Sequence, residues 1–319
     1  MHPSRRYAGA PVLVTGAQGF IGSWLTRRLL DEGASVVVPA RDGRVVDARC
    51  HVFDADILDS RAMRRLIEAH EVRAVFHLAA QSTVEVALRD PLATFDVNVR
   101  GTYSVLDACR TAAAPVDRVV VASSYLTYGG TSNGPASPDT ELRAAYPYEV
   151  SKTCADVISR SYAHSYDLPI AVLRLANVYG GGDYNFTRLV PETARSLIRG
   201  EPPVLRSDGT PERDFLYVED AVDAYLAVAA SLDDPSAHGR AWNAGAGETV
   251  AVIDVVRRLI ALAGRAVDPV IQGKGTPPGE LDRQAVDDSA MRNELGWQPR
   301  WDLDRGLAET YRWYRSELD

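Results

Sequence analysis

The chain reads as an α/β protein: a doubly wound parallel sheet with a smaller, interleaved C-terminal α/β lobe. Three observations predict this. Short apolar runs alternate with amphipathic helical stretches as far as Asn177, the pattern of strands joined by crossover helices. The string Thr15-Gly16-Ala17-Gln18-Gly19-Phe20-Ile21-Gly22 follows the first apolar run. Tyr148-Glu149-Val150-Ser151-Lys152 sets a tyrosine and a lysine four residues apart, on one face of a helix.

Val12-Leu13-Val14 is the first strand, ending at the glycine turn. Residues 20–32 have helical spacing in Phe20, Ile21, Trp24, Leu25 and Leu29, and Gly33 stops the helix. A second strand spans 35–38 and a third His51-Val52-Phe53, followed by a helix over 60–70 and a fourth strand over 74–78. A long helix is expected over 92–110, a fifth strand over 118–122, a second long helix over 148–166 and a sixth strand over 170–174. Beyond Asn177 the regularity breaks. Gly180-Gly181-Gly182-Asp183 is a loop, 200–203 and 207–211 are turn-rich, and 268–278 is rich in Gly and Pro. The expected division is a dinucleotide-binding domain over 1–178 plus 213–243 and a second lobe over 179–212 plus 244–319. Ligands of such sheets bind at the carboxyl ends of the strands.

With 319 residues the chain can bury a substantial core, and 46% hydrophobic against 24% charged residues argues against disorder. A net charge of −8 argues against a general nucleic-acid binder but leaves room for a phosphate-bearing small ligand. The basic residues are almost all arginine, Lys152 and Lys274 being the lysines. Cys50, Cys109 and Cys154 show no pairing pattern, no Cys/His group has metal-ligand spacing, and a reduced, cytoplasmic protein fits. Residues 1–10 lack the apolar run of a signal peptide, and no stretch approaches the ~18 apolar residues of a membrane span.

The turn lies between a predicted strand and a predicted helix, as a dinucleotide loop must. Gly16 permits the tight turn, Gly19 lets a pyrophosphate approach the backbone, and Gly22 lets the helix pack on the sheet. After the second strand the usual acidic position for the adenosine ribose reads Ala40. Arg41 could meet a 2′-phosphate or stack on adenine, while Asp42 would repel a phosphate or take the ribose hydroxyl. NAD is favoured and NADP stays open. Asp56-Ile57, after the third strand, is placed to meet the adenine; a plain cap for the following helix is the alternative. Ser123-Ser124 ends the fifth strand, where a hydroxyl either bonds the next turn or orients a reacting hydroxyl. A tyrosine titrates near ~10, and a lysine one turn away, like a positively charged nicotinamide ring, favours the phenolate needed for acid–base work. Together the strings imply hydride chemistry on a carbinol carbon. Arg213, in Arg213-Asp214-Phe215-Leu216-Tyr217, is read as a pyrophosphate contact, and His77 as structural.

With these residues in place, the chain resembles the extended short-chain dehydrogenase/reductases, the nucleotide-sugar epimerase/dehydratase family. The resemblance runs through the glycine turn, His77-Leu78-Ala79-Ala80-Gln81, Asn98-Val99-Arg100-Gly101-Thr102, Ser123-Ser124 to Tyr128-Gly129, Tyr148 to Lys152, Arg174 to Gly180, Arg213 to Asp220, and Leu295-Gly296-Trp297-Gln298-Pro299. Gly180 to Arg188 and the C-terminal stretch from Leu295 look most like the CDP-glucose 4,6-dehydratase branch.

The resemblance implies a Rossmann domain, a nucleotide-sugar lobe, and a homodimer formed through helices 92–110 and 148–166. Ser124, Tyr148 and Lys152 would be catalytic. Gly16, Gly19, Phe20, Ile21, Arg41, Asp56, Ile57, Leu78, Ala79 and Ala80 would hold the cofactor together with Tyr148 and Lys152. Gln81, Ser124, Tyr125, Asn177, Arg188 and Arg213 would meet a nucleotide-diphosphate sugar. Dehydratases of the family carry an acidic or Asp-Lys type pair directly after the catalytic Ser/Thr, for proton transfers at C5 and C6; Tyr125 and Leu126 stand there. The expectation is therefore an NAD(P)-dependent epimerase acting at C4 through a transient 4-keto sugar. The alternatives are a 4,6-dehydratase or 4-keto-sugar reductase, and a catalytically silent, cofactor-sensing regulator, which would not need the Ser–Tyr–Lys trio.

Overall fold

The computed structural model describes residues 6–41, 43–44, 46–130, 134–275 and 282–319. Asp42 lies outside the described residues, as do 1–5 and the 276–278 part of the Gly/Pro-rich stretch. The chain forms two compact units. The first comprises Met1–Thr127, Leu142–Arg174 and Val222–Trp242; the second comprises Tyr128–Glu141, Leu175–Ala221 and Asn243–Asp319.

The first unit is organised by a seven-stranded sheet. Its strands are β1 (Pro11–Thr15), β2 (Ser35–Pro39), β3 (His51–Phe53), β4 (Ala74–His77), β5 (Arg118–Ser124), β6 (Ile170–Leu175) and β7 (Ala241–Ala244). They lie in the order β7-β6-β5-β4-β1-β2-β3, and β1 pairs in parallel with both β2 and β4. Strand order reverses between β1 and β4, the crevice at which doubly wound sheets bind ligands. Covered on both faces, the strands read as unbroken apolar runs: Val36, Val37 and Val38 are fully buried. On one face Leu13, Val37, Val75 and Val119 pack with Met63, Ile67, Val105 and Leu106.

The helices follow local signals. Ser60–Ala69 starts because the Asp59 carboxylate accepts from the amides of Arg61 (2.9 Å) and Ala62 (3.0 Å). Asp56 is thus not the cap of that helix. Pro147–Tyr166 opens with proline in its first turn, and Glu149 accepts from the amides of Ala145 (3.0 Å) and Tyr146 (3.2 Å). The helix expected over 92–110 is interrupted: Pro91–Phe95 and Gly101–Thr111 are α-helical, and Asp96–Arg100 between them is π-helical. A short helix at Val84–Arg89 also lies in a stretch read as having no element; six residues are too few for the helical period to register.

Within the helix Pro147–Tyr166, Asp156 binds Arg174 of β6 through two hydrogen bonds, of 2.8 and 3.0 Å, and both side chains are fully buried. This pair locks the helix bearing Tyr148 and Lys152 onto the sheet.

The second unit uses short strands. Asn177–Tyr179 pairs in parallel with Phe215–Tyr217. Glu212–Arg213 lies between Val250–Ala251, antiparallel, and Arg283–Gln284, parallel. Asp220 accepts from the amides of Arg300 (2.9 Å) and Trp301 (3.0 Å), while its carbonyl accepts from the Trp297 indole (3.2 Å). Tyr128 donates to Asn243 (2.6 Å). These bonds tie 128–141 and 213–221 to the second unit, which also takes 175–178 and Asn243, although the expected division placed all of these in the first.

Candidate active site

Tyr148 and Lys152 stand one turn apart near the start of their helix, 9% and 6% exposed. Lys152 Nζ donates to the Ala122 carbonyl (3.0 Å), which pins the ammonium beside the carboxyl end of β5, two residues before Ser124. Burial lowers its pKa to about 8. The Ser124 hydroxyl accepts from the Leu126 amide (3.2 Å), and Ser124 itself is buried. Tyr125, also buried, begins a short 3₁₀ turn with Leu126. The structure therefore gathers Ser124, Tyr148 and Lys152 on one strand end and the helix packed against it: a hydroxyl, a phenol and a buried cation.

The glycine turn fits a dinucleotide. Gly16 has φ +73°, and a Cβ there would fall 2.6 Å from the Ala79 amide nitrogen, so Leu78-Ala79 passes directly over the turn. A Cβ on Gly22 would lie 2.1 Å from the Gly16 carbonyl oxygen. Gly19 precedes the helix Phe20–Asp31, and no side chain caps it, so its first-turn amides suit an anion. Ala79 and Ala80 follow β4 on the other side of the strand-order reversal, with the Ala79 amide donating to Thr15 Oγ1 (3.2 Å). Arg41 lies 3.6 Å from Asp56, so the cation considered for a 2′-phosphate has a carboxylate beside it. Ile57 packs where a Cβ on Gly101 would fall.

His77 is buried, with Thr15 Oγ1 at 2.8 Å and Thr102 Oγ1 at 3.0 Å on its two ring nitrogens. Burial, with Lys152 adding like charge, lowers its pKa to about 3, which keeps it neutral and structural. Gln81 turns its amide onto its own loop: Nε2 donates to the Thr83 carbonyl and Oε1 accepts from the Thr83 amide.

In the second unit, Arg213 is 6% exposed and donates to the carbonyls of Glu212 (2.9 Å) and Asp282 (3.4 Å). Asn177 donates through its amide to the Asp214 carbonyl (3.0 Å). Arg188 pairs with Asp183 at 2.9 Å, so its charge serves the 183–188 loop. A cleft of about 380 Å³ lined by Phe215, Glu248, Arg292, Arg300 and Trp301 contains none of these three.

One residue that sequence reasoning did not single out as functional is Asn98, in the π-helical segment. Its Oδ1 accepts from the Gln81 amide (2.7 Å), and its Nδ2 donates to the Gln81 carbonyl (3.0 Å) and to Ser151 Oγ (2.9 Å). Ser151 in turn donates to the Tyr148 carbonyl (2.6 Å). Asn98 thus ties the loop after β4 to the Tyr–Lys helix, and the wide turn is what admits it. The available signal was an uncharged amide between Val97 and Val99.

A parallel sheet with a glycine turn at its strand-order reversal, and a Ser, Tyr and Lys at its carboxyl edge, defines a dinucleotide-dependent enzyme of alcohol–ketone chemistry. The chain belongs to the NAD dependent epimerase/dehydratase family, whose sequence model matches residues 12–245. It is 32% identical to UDP-glucose 4-epimerase of Mycolicibacterium smegmatis, covering 96% of this chain and 98% of the relative. It is 34% identical to dTDP-glucose 4,6-dehydratase of Streptomyces griseus, covering 96% and 94%. Among solved structures it resembles UDP-glucose 4-epimerase of Thermotoga maritima with UDP-glucose, with a TM-score of 0.90, 28% identity, and coverage of 97% and 100%. No helix among the described residues is long and apolar enough to cross a membrane.

Proposed function

We propose that this protein is an NAD-dependent nucleotide-sugar 4-epimerase. The observation that carries the reading is the pair of residues directly after Ser124: Tyr125, buried, and Leu126, neither of them a carboxylic acid. Expelling the C6 hydroxyl as water needs a proton donor, and a phenol of ordinary pKa near ~10 is a weak one. Glu149, the buried carboxylate at the start of the catalytic helix, is engaged by the Ala145 and Tyr146 amides. Epimerisation needs no such acid.

Bound NAD would supply the hydride acceptor, and afterwards the donor, at C4 of the sugar. Ser124 orients the 4-hydroxyl and Tyr148 takes its proton, with the Lys152 ammonium one turn away stabilising negative charge on the phenol oxygen. Once the 4-keto sugar has presented its other face, Tyr148 returns the proton to the C4 oxygen. Arg213, supported by Asn177, holds the diphosphate through charge-assisted hydrogen bonds. Asp56 beside Arg41 favours NAD over NADP, because a 2′-phosphate would meet the carboxylate.

A homodimer through helices 92–110 and 148–166 accompanies this reading. Leu92 (73% exposed) and Val157 (51% exposed) leave apolar surface on those helices, and sedimentation velocity tests the assembly. The three free cysteines suit a cytoplasmic enzyme. The dehydratase reading has the 34% identical Streptomyces griseus relative in its favour. NMR of UDP-glucose, dTDP-glucose and CDP-glucose incubated with the enzyme in deuterated water decides between the two. The expected result is exchange between C4 epimers with the C6 oxygen retained. Deuterium at C5 with loss of that oxygen would make it a dehydratase.

A further inference from the structure

Arg213 and Asn177 lie on separate strands of the second unit, and one residue between them touches both surroundings. Asp214 is 2% exposed. Its carbonyl accepts from the Asn177 amide (3.0 Å) and side chain (3.4 Å). Its amide donates to the Gln284 carbonyl (3.1 Å), two residues beyond Asp282, whose carbonyl receives the Arg213 guanidinium. Its carboxylate accepts from the Ala246 amide (2.7 Å). The turn it grips leads directly into Val250, which pairs across the sheet with Arg213. The turn is shaped for the carboxylate: a Cβ on Gly245 would fall 2.2 Å from Asp214 Oδ2.

Burying this carboxylate works against stability. Desolvation pushes its pKa up to about 7, and Asp288 and Glu248 add like charge. Arg292, the cation of the cluster, is paired with Asp288 at 2.9 Å. A group that is costly to bury yet bonds the Ala246 amide and fills the space over Gly245 suits a geometric task.

We propose that Asp214 is a positioning residue for the nucleotide sugar: by gripping the 245–247 turn it seats Arg213 and Asn177 at the spacing the diphosphate requires. The proposal rests on the reading that Arg213 and Asn177 meet the nucleotide sugar. A carboxylate offers the turn two acceptor oxygens and a negative charge, whereas a carboxamide keeps one acceptor oxygen, carries no charge and replaces the other oxygen with an NH2 donor. Asp214→Asn therefore loosens the turn while relieving the burial of charge.

The test is steady-state kinetics at pH 8 with calorimetry, using UDP-glucose, dTDP-glucose and CDP-glucose as probes and NAD as control. Asp214→Asn is expected to raise KM and Kd for the nucleotide sugar about fivefold to tenfold, about the net worth of one ordinary hydrogen bond. Its kcat, NAD affinity and Tm should stay as in the wild type, because Tyr148 and Lys152 are untouched. Gly245→Ala, which displaces the carboxylate without altering its chemistry, should reproduce the KM effect. A purely structural role would instead lower Tm and NAD affinity together, and that pattern overturns the proposal. So does Asp214→Asn with wild-type KM. Should both variants fail to fold, Asp214 is a stability residue and the proposal falls. A wild-type protein that binds none of the three sugars removes the nucleotide-sugar reading and this inference with it. Binding weakened by Arg213→Ala but not by Asp214→Asn removes the inference alone.

Discussion

The two units solve different problems with different materials. The first sets its reactive groups on long regular elements: Ser124 on a seven-residue strand, Tyr148 and Lys152 on a twenty-residue helix. A fully buried ion pair anchors that helix to the sheet. The second holds Arg213 on a two-residue strand whose position depends on backbone hydrogen bonds from Asp214 and on the neighbouring strands. Hydride transfer and proton transfer tolerate little misplacement, so rigid elements suit them. On the proposed function the second unit has a different task, binding the diphosphate through Arg213, for which short strands and turns suffice. The contrast teaches that mutations in the first unit should cut turnover or unfold the protein, and those in the second should change affinity.

The largest break in that comparison should come from Tyr148→Phe. Turnover is expected to fall by roughly 10²–10⁴ with NAD and sugar binding kept, the usual size of a general acid–base contribution. Stopped-flow detection of cofactor reduction reads it, and full turnover would remove Tyr148 from the chemistry. Next in size is the buried pair. Arg174→Met leaves Asp156 charged and alone, and should destabilise by about 3–5 kcal/mol. Adding Asp156→Leu should recover most of that loss in urea unfolding; no recovery would show that packing, not charge, holds the helix. For the second unit, Arg213→Ala should weaken nucleotide-sugar binding by about 1.5–3 kcal/mol while sparing NAD. Equal losses for both ligands would erase the division of labour.

The smallest effect is a slope in pH. His77 is held neutral in the fold, its pKa lowered from 6.5 to about 3 by burial. The unfolded chain takes up that proton below its ordinary pKa and the folded chain does not. His77 thus contributes stability above pH 6.5 that is lost as pH falls toward 3, at about 1.4 kcal/mol per pH unit. Unfolding between pH 5 and 6.5 should show this slope, and His77→Gln should flatten it. An unchanged slope would mean that other groups set the acid limit.

Legibility from sequence tracked the same divide. Strands of the central sheet were readable because burial on both faces leaves continuous apolar runs, as at Val36-Val37-Val38. The glycine turn was readable because Gly16 and Gly22 each stand where a Cβ would collide with backbone. The π-helical turn was not, since the pattern around Asn98 differs from an α-helix by one residue in a turn and no composition marks it. The Asp214 junction was hidden for another reason. Its partners, Asn177, Ala246 and Gln284, are more than thirty residues away in the chain, and strands of two or three residues carry no period. Arg41 and Asp56 were each singled out, but their closeness is a tertiary fact.

The bonds from Asp220 to Arg300 and Trp301 join residues about eighty positions apart, and Tyr314 reaches back to the Asp183 carbonyl. A ribosome releases the chain from the N-terminus, so strands β1 to β6 are complete while these partners are still unmade. The sheet can bury its apolar runs during synthesis. The second unit must wait, its short strands unsupported, until the helix Leu303–Leu318 emerges to close it. A chain cut before Arg300 would lack the bonds that hold Asp220 and, with them, the closure of the second unit. The bonds that complete the second unit therefore form last, after Arg300 and Trp301 have left the ribosome.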